Sequence, residues 1–150
     1  MLGTLTEQQI EKLLNQQLTG RIGVHADGET YIVPINYVYR DGCVYAHSGP
    51  GKKMDMLEKN PQVCFQVDDI RALTNWESVI AWGTFKKIVD RKEMNRAMMA
   101  LISHVMPAMD NFDGNPSHGI TDDESDIGSK FDLILYKIRL DKKTGRFETP

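Results

Sequence analysis

The sequence predicts a mainly β fold with flanking helices, an antiparallel barrel of six or seven strands. Three observations carry this reading. Asp27-Gly28 and Asp41-Gly42 each lie between β-rich runs, and an Asp-Gly pair so placed is a strong hairpin signal. Most connections between runs are short, as antiparallel neighbours allow. Apolar residues at helical spacing occur in only three stretches, which would cover the barrel openings.

The elements follow in order. Thr6 and Gln9 form a capping-box pattern, and Ile10, Leu13, Leu14 and Leu18 then repeat at helical spacing. Gly20 is expected to stop that helix, which occupies residues 1–19. R-I-G-V-H-A, T-Y-I-V-P-I-N-Y-V-Y and C-V-Y-A-H-S read as three hairpin-linked strands. Pro34 cannot donate to a ladder, so its side of the second run should face an edge or a ligand. A short helix from Lys52 to Lys59 closes at Asn60-Pro61. P-Q-V-C-F-Q-V-D-D-I and W-E-S-V-I-A-W-G-T-F-K-K-I-V are two more strands, with Gly83 marking a bulge or a close backbone approach. Arg91 to Met106 is a helix with Met94, Met98, Leu101, Ile102 and Val105 on one face. F-D-L-I-L-Y-K-I-R-L and G-R-F-E supply the last strands. Residues 107–129 form a long acidic loop with D-D-E-S-D at Asp122–Asp126, read either as a surface loop or as a lid. With no internal repeat and no low-complexity linker, residues 1–150 read as one domain.

Composition narrows the function classes. A net charge of −3 argues against a nucleic-acid partner, because duplex binders carry a basic excess. No apolar run reaches the ~18 residues that a membrane span needs. The first residues show neither a basic n-region nor an apolar h-region, so a cytoplasmic location is expected. Cys43 and Cys64 lack C-x-x-C spacing and are expected as free thiols. His25, His104 and His118 have no metal-ligand spacing, and Asp122–Asp126 lacks the alternation of a calcium loop, so no metal is expected.

The stretch Y-A-H-S-G-P-G-K-K, Tyr45 to Lys53, poses an electrostatic problem. It places two lysines in the first turn of a helix, whose N-terminus already behaves as roughly half a positive charge. Either both lysines point into water, or backbone N–H groups and ammonium groups converge on one anion such as phosphate. The spacing is not that of a Walker A loop, which needs Gly at Ala46 and Ser or Thr at Lys53.

The order I-V-P-I-N, hairpin, V-Y-A-H-S-G-P-G-K-K-M-D-M-L-E-K-N-P-Q-V-C-F, then a strand ending W-G-T-F, resembles the flavin-binding split barrels related to pyridoxamine 5′-phosphate oxidase. With its leading G-R-I-G, it is most similar to the nitroimidazole-resistance (Nim-type) branch. The resemblance covers residues 20–89 and is weaker in the final strands. It rests on the combined order, because no single piece is specific.

The resemblance implies a six- or seven-stranded antiparallel split β-barrel and a homodimer with two FMN molecules in clefts between subunits. Lys52 and Lys53 match the basic pair on the ribityl phosphate. Val33, Pro34, Ile35 and Asn36 match the strand along the isoalloxazine ring. Tyr45 and His47 match the strand end beside the cofactor, and Ser78 falls where a polar side chain approaches the ring. His47 would lie near flavin and substrate. Its unperturbed pKa near 6.5 suits a proton donor, while a purely structural histidine is the plainer alternative. Two departures stand out. Tyr31 and Asn36 replace basic residues of the oxidase type, and the tail R-L-D-K-K-T-G-R-F-E-T-P lacks the histidine of the vitamin-binding signature.

The implied activity is that of an FMN-dependent oxidoreductase passing electrons to a small acceptor, with a nitroaromatic as the candidate. Lacking G-x-G-x-x-G, the chain would meet an NAD(P)H donor only transiently. The alternative is a non-catalytic flavin- or haem-binding protein on the same scaffold.

Overall fold

Both Asp-Gly pairs turn as the sequence requires. Asp27 and Gly28 have φ of 52° and 75°, and Asp41 and Gly42 have 50° and 75°, the paired positive values of a type I′ turn. The computed structural model describes residues 1–109 and 133–150. In chain order the described elements are β1 (Leu2–Thr4), α1 (Glu7–Gln16), β2 (Thr19–Ala26), β3 (Glu29–Asn36), β4 (Val38–Arg40) and β5 (Cys43–Ser48). They continue with α2 (Lys52–Lys59), β6 (Gln62–Ala72), β7 (Asn75–Lys87), α3 (Arg91–Met109) and β8 (Ile134–Glu148).

All pairings are antiparallel, in the order β3-β2-β6-β7-β8-β5-β4, with β1 against the end of β8. Only Tyr37 separates β3 from β4, so the two ends of this sheet are consecutive pieces of one chain run. The sheet therefore curls back on itself as a split barrel. Sequence periodicity predicts an unbroken strand here. The break falls at Tyr37, whose N–H still donates to Leu18 O at 3.1 Å, one step beyond the Thr19–Asn36 pair. Its fully buried ring meets Phe65 edge-on at 5.0 Å, and its hydroxyl donates to Leu14 O at 2.7 Å. That break and the short β1 bring the described strands to eight.

The capping box on α1 forms as expected, Thr6 N–H donating to Gln9 Oε1 at 2.8 Å. Gly20 does not stop this helix. The helix ends at Gln16 with an extended Gln17, and Gly20 lies in β2. A Cβ on Gly20 would fall 2.4 Å from the Phe65 ring, so the glycine makes room for a core aromatic. Gly83 behaves as predicted. The β7–β8 register shifts at Trp82/Gly83, and a Cβ on Gly83 would lie 2.2 Å from Arg139 O.

The main core fills the barrel with Ile22, Val24, Phe65, Val79 and Ile138, under Leu13 and Leu14 of α1 and Met54 and Leu57 of α2. A second core sets Met98, Leu101 and Val105 of α3 against Val38 and Leu135. Each such aliphatic side chain stabilises the fold by about 1.5–3 kcal/mol. Helix α3 runs past the expected Met106 and includes Pro107. The rest of the expected acidic loop, with His118 and Asp122–Asp126, lies outside the described residues. Cys43 and Cys64 are free thiols. No helix among the described residues is long and apolar enough to cross a membrane.

Candidate functional site

Strand β5 delivers His47 and Ser48 to the barrel end, and the turn Gly49-Pro50-Gly51 feeds directly into α2. Gly51 occupies the N-cap and offers no side-chain acceptor, so the positive end of α2 has no side-chain cap. The two lysines that follow solve the electrostatic problem differently. The Lys52 ammonium pairs with the Glu29 carboxylate and lies 5.0 Å above the Tyr31 ring. Its hydrogen bond to Glu29 holds its pKa above the ordinary lysine value. Both partners are largely exposed, so the pair is readily exchanged with solvent.

Lys53 is half-buried and has no carboxylate partner among the described residues. Its Nζ stands 5.8 Å from the Tyr136 ring centroid. Burial pushes its pKa below the ordinary 10.5. A cation set at a helix N-terminus, desolvated and without a counter-charge, is the arrangement an anion would stabilise.

Lys53 opens into a cleft of about 280 Å³, lined also by Pro34, Ile35, Asn36, His47, Ser48 and Gly49. One wall is β3, which has a strand on one side only. Pro34 sits on this edge, where a missing N–H costs no ladder bond, as its sequence context predicts. Asn36 accepts from Thr19 Oγ1 at 2.9 Å, which leaves its amide nitrogen as the group to donate. A flat ligand with polar edges can lie along this strand while its anionic tail reaches Lys53. Residues 6–146 match the family model described as pyridoxamine 5′-phosphate oxidase. The chain belongs to that family.

Several relatives fit this assignment. An FAD-binding protein from Mesorhizobium loti superposes with a TM-score of 0.77 at 25% identity, covering 99% of each chain. A candidate 5-nitroimidazole antibiotic resistance protein from Bacteroides thetaiotaomicron gives 0.72 at 23%, over 98% of this chain and 89% of that one. An FAD-binding protein from Mycobacterium smegmatis gives 0.69 at 21%, over 99% and 100%. At those identities the last two share the fold alone. An uncharacterized Rhizobium meliloti protein is 32% identical over 68 residues, 45% of each chain, so under half of that relative's length is matched.

Of the family-matched positions, the structure gathers Pro34, Ile35, Asn36, His47 and Lys53 in one cleft. Val33 alternates to the other face and packs on the main core. Lys52 is diverted to Glu29. Tyr45 lines a different cleft of about 400 Å³, with Arg40, Asp41, Glu93, Arg96, Ala97 and Ala100, because α3 covers that stretch of β5. Ser78 lies on β7 opposite Asp68 and Arg146, with Gln66 Nε2 at 3.1 Å, and is not in the Lys53 cleft of one chain. Ser48 and Tyr136 escaped the sequence reading. The first adjoins His47, whereas Tyr136 meets Lys53 only through the β5–β8 register.

A larger cleft, about 420 Å³, crosses the outer face of β3, β2, β6 and β7. Ile32, Gly23, Cys64 and Trp82 form one cross-strand row in it. Size favours this surface, but it lacks the desolvated, unpaired cation, and that cation marks the smaller cleft as the candidate site.

Proposed function

We propose that this protein is an FMN-dependent oxidoreductase acting on a small acceptor, with nitroaromatics of the nitroimidazole type as the candidate class. The observation that carries it is Lys53, a half-buried ammonium without a carboxylate partner among the described residues, at the mouth of a cleft along an open strand edge. The phosphate monoester of FMN carries close to two negative charges at neutral pH, and Lys53 with the α2 N-terminus is fitted to receive them. Two relatives are named FAD-binding, which supports a flavin. The monoester favours FMN over FAD, whose two phosphates are joined in an anhydride and carry one charge each.

In this reading the flavin supplies the electron-transfer chemistry. The chain binds the phosphate with Lys53 and with Lys52 recruited from Glu29, and orients the ring along Val33–Asn36. His47 holds a proton at the cleft wall for delivery to the reduced acceptor. The nitroaromatic class is supported by the motif order and by the name of the Bacteroides relative. NAD(P)H would serve as a transient donor. At about 280 Å³ the cleft sits just below the ~300–1,000 Å³ usual for ligand pockets. A homodimer with FMN between subunits would complete it, and Tyr45 and Ser78 belong to the site only as the partner copy or a closed state brings them in.

Fluorescence titration with FMN, FAD and riboflavin tests the cofactor, with FMN expected to bind most tightly and at micromolar protein. No quenching by any of the three sinks the reading. Light scattering of the loaded protein is expected to give twice the 17.0 kDa chain mass. Flavin binding without turnover of any nitro compound, even from chemically reduced protein, would leave a flavin-holding protein instead.

A further inference from the structure

Tyr136 is the feature that the proposed function does not absorb. It sits on β8 opposite Ala46 of β5 and Lys87 of β7, fully inside the barrel. Its ring packs against Phe85 at 5.5 Å with a 48° tilt, and Lys53 Nζ stands over it at 5.8 Å from the centroid. Its hydroxyl is buried and has no hydrogen-bond partner among the described residues. A buried phenol normally finds a partner, and leaving one unmade is costly. Among the described residues its recorded contacts are those of the ring, with Phe85 and with the Lys53 ammonium.

A cation over an aromatic face is attracted by the ring quadrupole, more strongly when both are out of water. A carboxylate at the same place would also hold the ammonium, but it would neutralise it and occupy its donors. The ring holds the charge in position and leaves the N–H groups free to donate. Lys52 differs in that, although it also lies over a ring, that of Tyr31, Glu29 takes one of its donors directly and neutralises it. We propose that Tyr136 is the positioning residue of the phosphate subsite, an aromatic seat that keeps the Lys53 ammonium at the cleft mouth without satisfying it.

This inference rests on the FMN reading, and the test separates the two. FMN and riboflavin, which lacks the phosphate, are titrated into wild type, Tyr136→Phe and Tyr136→Leu. Phe keeps the ring face and should hold FMN within about 2-fold of wild type, whereas Leu should weaken it about 5- to 10-fold. Riboflavin affinity should be the same in all three. In the apo protein, the Lys53 ε-methylene protons should be shifted upfield by the ring in wild type and Tyr136→Phe, and return to ordinary values in Tyr136→Leu. Equal loss of FMN and riboflavin in Tyr136→Leu assigns Tyr136 a packing role and overturns the inference. An unshifted Lys53 methylene in wild type also overturns it, and needs no variant to fold. Wild type binding riboflavin as tightly as FMN removes the phosphate reading itself, and the seat with it.

Discussion

Strand β5 serves two clefts that differ in one respect. At its α3 end, Tyr45 borders a cleft whose lining mixes Arg40 and Arg96 with Asp41 and Glu93, and Glu93 also accepts from Lys137 at 2.8 Å. At its α2 end, His47 borders a cleft where Lys53 has none among the described residues. Both hold basic side chains, and both hold a residue that matches the family's cofactor-side strand. A balanced cleft has already met its electrostatic needs from its own chain, and the unbalanced one has not. The missing counter-charge, more than concavity or size, is what singles out the candidate site.

The sharpest way to break this comparison is to substitute the two β5 residues in FMN-loaded protein. His47→Ala should slow turnover of a nitro acceptor by about 10²-fold or more, the range for a lost general acid, at unchanged FMN occupancy. Tyr45→Phe should stay near wild type. Equal losses in steady-state assays would erase the distinction between the two ends.

Next comes cofactor affinity. Lys53→Ala should weaken FMN binding by about 1.5–3 kcal/mol, roughly 10- to 150-fold, with Lys53→Arg retaining some of it. Arg96→Ala, on the balanced side, should leave the dissociation constant within about 2-fold. Calorimetric titration checks both, and an unaffected Lys53→Ala would return that lysine to solvent.

Apo-protein stability should separate the clefts by sign. The folded pKa of Lys53 lies below its ordinary value because burial disfavours the charge. Its stability cost is therefore present at neutral pH and is relieved as pH rises through the lowered pKa toward 10.5. Lys137 is raised by its hydrogen bond to Glu93, so its contribution is present below 10.5 and is lost as pH rises through the raised pKa. Lys53→Met should gain about 1 kcal/mol at neutral pH, a gain that fades in alkali. Lys137→Met should lose stability at neutral pH and converge with wild type only above the ordinary lysine value. Denaturant melts between neutral pH and about pH 11 would show it.

The smallest effect should come from Glu29→Gln. Releasing Lys52 from its acid extends the imbalance to a second lysine, and FMN affinity should rise about 2- to 5-fold at low salt, less at high salt. An unchanged dissociation constant at both salts would confine the site to Lys53.

Much of this was legible in the sequence where a short segment decides its own conformation. Asp27-Gly28 and Asp41-Gly42 specify turns locally, Thr6 and Gln9 a cap, and Lys52 and Lys53 the first turn of a helix. What escaped depends on distant stretches of the chain. Tyr37 is buried at the β3–β4 break against Phe65 and Leu14, and Gly20 is explained only by Phe65. Adjacent lysines on a helix point about 100° apart, so Lys52 and Lys53 had to diverge, but which one would find an acid depended on the placing of Glu29. Tyr45 and His47 share a face of β5, and only the packing of α3 divides them.

The barrel also constrains how the chain can reach its native state. Strand β8 pairs with β1, β5 and β7, so the last fifteen-residue strand lies between partners made long before it. A nascent chain that has emerged only as far as α3 holds β5 and β7 with edges exposed and no sheet to join them. Hairpins such as β2–β3 can form early, but closure waits for residues 134–148 and carries a large loop-closure entropy. The Lys53–Tyr136 contact spans the same gap. The proposed phosphate subsite would therefore assemble with the closing strand, and a ligand that needs it would recognise the finished barrel and none of its precursors.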